Sequence, residues 1–113
     1  MLDTAPLTIA ARRSADRLRM LPESALRRGA AAEGRALACE LARRAQVLEF
    51  PGAVPRELPD AGVFAVGDQL AVVAHDLAEI VRDVDARDEL AEAVALVEEA
   101  ACRIAAAAGA PQW

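Results

Sequence analysis

The sequence predicts an all-α fold: an antiparallel four-helix bundle built from two helical hairpins, with a short first helix. Three observations carry this. Abundant Ala lifts the hydrophobic fraction to 55 %, above the usual ~45–50 %, and Ala is the strongest helix former. Aromatic residues, which sheets favour, are reduced to Phe50, Phe64 and Trp113. Apolar residues recur at steps of three and four along most of the chain. With 113 residues the chain is a single domain, large enough for its own core without a disulfide or metal.

Helix 1 is expected over 5–20. Thr4 suits the N-cap and Pro6 the first turn. Leu7, Ala11, Leu18 and Leu21 share one face, and Arg12, Arg13, Arg17 and Arg19 cover most of the rest. Pro22 breaks the helix, because it lacks a backbone donor and disfavours helix at Leu21. Helix 2 follows over 22–49. Leu26, Leu37 and Leu48 recur every eleven residues, as do Ala30 with Leu41 and Gly34 with Ala45. That period is close to a straight α-helix, so a nearly straight rod is expected. Gly34 lies on the apolar stripe and calls for close approach of another helix, whereas Gly29 has no such reason and marks a site for a kink.

The connection spans 50–59, where Pro51, Pro55 and Pro59 keep the chain extended. Its length lets helix 3 return antiparallel to helix 2. Helix 3 is expected over 60–84, with a start near Asp68 as the alternative. Val63, Val66, Leu70, Val73, Leu77, Ile80 and Val84 alternate by three and four without a miss. Helix 4 is expected over 86–108, with Asp85 as N-cap and Gly109 and Pro111 ending it. The short turn at Asp85 makes helices 3 and 4 antiparallel neighbours.

Charge is unevenly divided. Residues 1–50 hold nine Arg against six acids, and residues 51–113 hold four Arg against twelve acids. A basic hairpin closing on an acidic one follows. All basic residues are Arg, and with so much Ala the composition resembles that of GC-rich actinobacterial genomes. That is a codon signature and carries no function. The length is similar to a secreted WXG-type helical hairpin, but no Trp-x-Gly occurs and four helices are expected. No family is implied.

No signal peptide or spanning segment is expected, which points to a cytoplasmic protein with no membrane partner. His75 with Glu79 at i,i+4 is spaced to share a divalent metal, but it falls on the outermost face and no second histidine exists. Asp76-x-x-Glu79 and Glu89-x-x-Glu92 are spaced to hold Mg²⁺, although the lysine expected beside a phosphate is missing. Arg12, Arg13, Arg17, Arg19, Arg27 and Arg28 have a basic footprint. The net charge of −5 and the lack of stacking aromatics argue against nucleic acid and for pairing with acidic protein surface. Cys39 and Cys102 are expected as unpaired, packed thiols.

Helix 3 carries more apolar surface than one seam needs. Contact with two neighbours accounts for it, or else a second apolar face around Val72, with Leu96 of helix 4, buries a partner. The leading expectation is a non-enzymatic accessory or scaffold module acting by protein–protein contact, self-associating as a homodimer, with Val72 and Leu96 at the interface. The alternatives are a Mg- or Mn-dependent nucleotide hydrolase using the acids of helices 3 and 4, and small-ligand binding in the bundle core. No catalytic, cofactor-binding or metal residue is assigned.

Overall fold

The computed structural model describes residues 1–109, which form four principal helices and, among the described residues, no strand. Helix α1 is Ala5–Met20, with Pro6 in its first turn. Thr4 occupies the N-cap position, but its hydroxyl does not cap. The hydroxyl accepts a 2.6 Å hydrogen bond from Arg82 Nη2 instead, while Asp3 Oδ1 accepts from the Ala5 N–H.

After the break at Leu21-Pro22, α2 opens with a turn over Glu23–Ala25, widens over Leu26–Ala30 and continues over Ala31–Glu49. The expected straight rod is therefore interrupted. Gly29 takes φ 141°, a backbone angle that side chains oppose, and the Ala31 N–H reaches the Leu26 carbonyl five residues back. This wide turn lies beside the end of the last helix, where a Cβ on Gly29 would meet Ala107 at 3.4 Å.

A short 3₁₀ turn, Val63–Ala65, leads into α3, Val66–Asp83. Helix α4 is Arg87–Ala107. Asp85 is not its N-cap. Asp85 sits in the left-handed region at φ 55° and makes the turn, and Ala86 holds the N-cap position without a side-chain cap. Gly109 follows the helix at φ 74°, and Pro111 lies outside the described residues.

The four-helix bundle is as expected, but its pairing is set by the connection. Residues 50–62 run back along α2. Gln46 clamps the Arg56 backbone through both N–H and carbonyl. Arg35 donates to the Leu58 and Pro59 carbonyls, and Gln69 donates to Pro59. The chain thus begins α3 at the same end as α2, and the two run parallel: Gly34 meets Val66 at one end, and Glu49 lies by Asp83 at the other. Helices α1 and α3 are antiparallel, with Gly67 against Ala15 and Arg82 against Thr4.

Each helix packs mainly on two others, in the cyclic order α1, α3, α2, α4. The two sequence hairpins are antiparallel within themselves, yet their members sit across the bundle's diagonals. A short turn fixes opposite direction without fixing adjacency, so α3 and α4 are not the packed neighbours expected. The core is Leu- and Ala-rich, and Leu7, Leu41, Leu70, Leu77, Val81, Val97 and Ile104 are its largest fully buried side chains.

Candidate functional site

Helix α3 presents the surface of most interest. Its seam residues Val66, Leu70, Val73 and Leu77 are buried as the periodicity requires. Ala74, Ala78 and Val81 are buried as well, because α3 packs on α1 along one flank and on α2 along the other. Two-neighbour packing therefore accounts for most of the wide apolar stripe. Val72 is the exception within α3: it points outward and is 59 % exposed. Val84, expected on the seam, is exposed just past the helix end.

The structure does not bring Val72 and Leu96 together. Leu96 is half-buried against the core. It lies one turn from Glu92 and two from Arg103, and both of those residues pair with α2. Helical spacing thus puts Leu96 on the α2 side of α4, diagonally across the bundle from α3.

Two open grooves flank Val72. Against α2, Val73, Ile80, Ala42 and Ala45 form an apolar floor rimmed by Glu49, Asp76, Glu79 and Asp83. Against α1, Thr8, Ala11 and Arg12 face Ala71, Ala74 and His75. Arg82 continues that flank toward Thr4. Farther down, Arg19 is held at 2.7 Å by Asp68 and at 2.8 Å by Asp16. These bonds, that to Asp68 above all, push the Arg19 guanidinium above its ordinary pKa. Among the described residues, Arg12, Arg82, Glu49, Asp76 and Asp83 have no ion-pair partner within 4.0 Å.

The metal and nucleotide candidates are dispersed. His75 Nε2 lies 3.0 Å from Glu79 Oε1 on an exposed face. Among the described residues no three His, Cys, Asp or Glu converge on a metal position. Asp76 and Glu79 line the α2–α3 groove, while Glu92 is bound to Arg44 on the far side of α2. The two acidic pairs therefore do not share a site.

The arginines are also spread around the molecule. Arg13 and Arg17 line the α1–α4 groove with Glu98, Arg27 pairs with Glu23, and Arg28 donates to the Ala108 carbonyl at the end of α4. Both cysteines are free. Cys39 is half-buried, but Cys102 is exposed and not the packed thiol expected.

One exposed patch was not singled out from sequence. Phe50, Ala53 and Val54 line a shallow cleft with Gln46, Pro55 and Arg56, and Val47 is exposed one turn before Phe50. Phe50, Ala53 and Val54 carried the signal, but the prolines marked the segment as a connection.

No described helix is long and apolar enough to cross a membrane. No protein-family model, curated protein or solved structure matches this chain.

Proposed function

We propose that this protein is a non-enzymatic cytoplasmic module that acts by protein–protein contact, as a self-associating scaffold or accessory subunit. The observation that carries the reading is the outward side of α3. An exposed Val72 stands between an acidic groove and a flank of mixed charge, where Arg12, Arg82, Glu49, Asp76 and Asp83 have no ion-pair partner among the described residues. Interfaces combine an apolar centre with a polar, charge-bearing rim in this way. Single exposed apolar residues are common, so the weight falls on Val72 and the flanking charges together.

The test compares the wild-type chain with Val72→Asp, by mass in solution and by affinity capture. Val72 is exposed, so the variant keeps wild-type circular dichroism. Loss of assembly or capture supports the reading, and unchanged assembly and capture remove α3 from it. Leu96→Asp is a different probe: because Leu96 packs against the core, this change lowers stability before it reports on any partner.

A further inference from the structure

We infer that the two hairpins, α1–α2 and α3–α4, are complementary halves, so that the α1–α2 hairpin of one copy accepts the α3–α4 hairpin of a second copy in place of its own. The surface involved is the inner face of each hairpin. It is separate from the outward face of α3.

The cyclic order α1, α3, α2, α4 leaves each helix packed on the two helices of the other hairpin and hardly on its own partner. Among the described residues, every side-chain bond that joins two of the four helices or their caps also crosses between hairpins. Arg19 pairs with Asp68 at 2.7 Å, Arg44 with Glu92 at 2.8 Å and Arg103 with Glu33 at 3.0 Å. Arg82 donates to Thr4 at 2.6 Å, and Arg28 to the Ala108 carbonyl at 2.9 Å. The tight contacts cross as well: Gly34 meets Val66, and Gly67 meets Ala15. One hairpin alone therefore holds two apolar helix faces that do not cover each other.

Charge decides what fills that gap. Residues 1–50 hold nine Arg against six acids, and residues 51–113 hold four Arg against twelve acids. Like hairpins repel, and only the unlike pair attracts. The complement comes from the same chain or from another copy of it, through identical contacts.

The connection chooses between the two. Gly34 lies level with Val66, and Glu49 with Asp83. Residues 50–62 therefore run back roughly 22 Å along α2, at ~1.5 Å per residue, and step ~8–10 Å sideways. Extended chain covers up to ~3.6 Å per residue, so this segment has slack and closure within one chain is favoured. Removing residues 52–59 leaves Phe50, Pro51, Asp60, Ala61 and Gly62. Those reach about 21 Å at most, so α3 no longer returns beside its own α2 and must pair with another copy.

Sedimentation equilibrium and circular dichroism on the chain lacking 52–59, alone and with Val72→Asp, test this. A helical dimer of twice the chain mass is expected in both, because exchange does not use Val72. A folded monomer overturns the proposal. The deletion also removes Leu58, which packs against the core, so a second measurement keeps every residue. The folded full chain is cut once after the exposed Arg56 by limited trypsin. It is then mixed in denaturant with an isotope-labelled cut copy, and the two are diluted together. Folded particles of unchanged mass are expected, many of them carrying one labelled and one unlabelled hairpin. Halves that fail to recombine overturn the proposal, and if the shortened chain does not fold, the cut chain decides.

Discussion

Two seams of this bundle are held in opposite ways. Where α1, α2 and α3 meet, Leu18, Gly34, Val66 and Gly67 pack with no room to spare. A Cβ on Gly67 would lie 2.8 Å from the Ala15 carbonyl oxygen, and one on Gly34 would lie 2.7 Å from a Leu18 methyl and 2.9 Å from a Val66 methyl. Where Ala31–Glu49 of α2 meets α4, the polar contacts are ion pairs near the surface: Arg44 with Glu92 at 2.8 Å and Arg103 with Glu33 at 3.0 Å. The first seam fixes helix spacing by excluded volume. The second adds favourable but screened charge contacts. Bundle geometry should therefore depend on the glycines and be nearly indifferent to the ion pairs.

Gly67→Ala should produce the largest effect. Its new methyl meets main-chain oxygen, which cannot rotate away, so α1 and α3 must separate. A loss of about 1–3 kcal/mol in chemical denaturation is expected. Gly34→Ala should cost less, because the Leu18 methyl belongs to a side chain that can change rotamer, although Val66 is β-branched and stiff. A loss equal to or above that of Gly67→Ala would contradict this ranking.

Glu40 sharpens the comparison from the charged side. Hydrogen bonds from Arg43 first, and from Arg44, lower its pKa from 4.5 to about 2 against an opposing effect of burial. A depressed carboxyl stabilises the fold above its unfolded pKa, and this contribution fades as pH falls from about 4.5 toward 2. Glu40 is partly solvated, so the effect should stay near or below about 1 kcal/mol. Glu40→Gln should flatten stability over that pH window, and an unchanged acid limb would show that Glu40 is not its source. Glu92→Gln should have the smallest effect, about 0–1 kcal/mol and reduced further by salt. A loss matching Gly67→Ala would mean that charge, not packing, sets the α2–α4 spacing.

Much of the fold was legible because periodicity reports burial directly. Helix α1 spans the expected residues, and the three-four alternation in α3 marks buried positions from Val66 to Leu77. The Gly34 approach and the Gly29 kink were also readable, since glycine inside a helix needs a steric or conformational reason. Pairing was not legible. A connection of ten residues was read as a simple return, but Gln46, Arg35 and Gln69 hold the extended chain along α2 and make α3 parallel to it. Those long-range side-chain-to-backbone bonds have no local signature. Asp85 misled for a related reason: aspartate serves an N-cap and a left-handed turn equally well, and only the surrounding packing chooses. Of the two interface candidates, Val72 stands outward while Leu96 rests on the core, and sequence spacing did not separate a face toward solvent from a face toward α2.

The central claim is that the outward face of α3 is where this protein meets its partner. Light-scattering mass of wild type and Val72→Asp, across a range of concentrations, tests it most directly. A concentration-dependent dimer is expected for wild type and a folded monomer for the variant. Identical masses for the two at every concentration would contradict it.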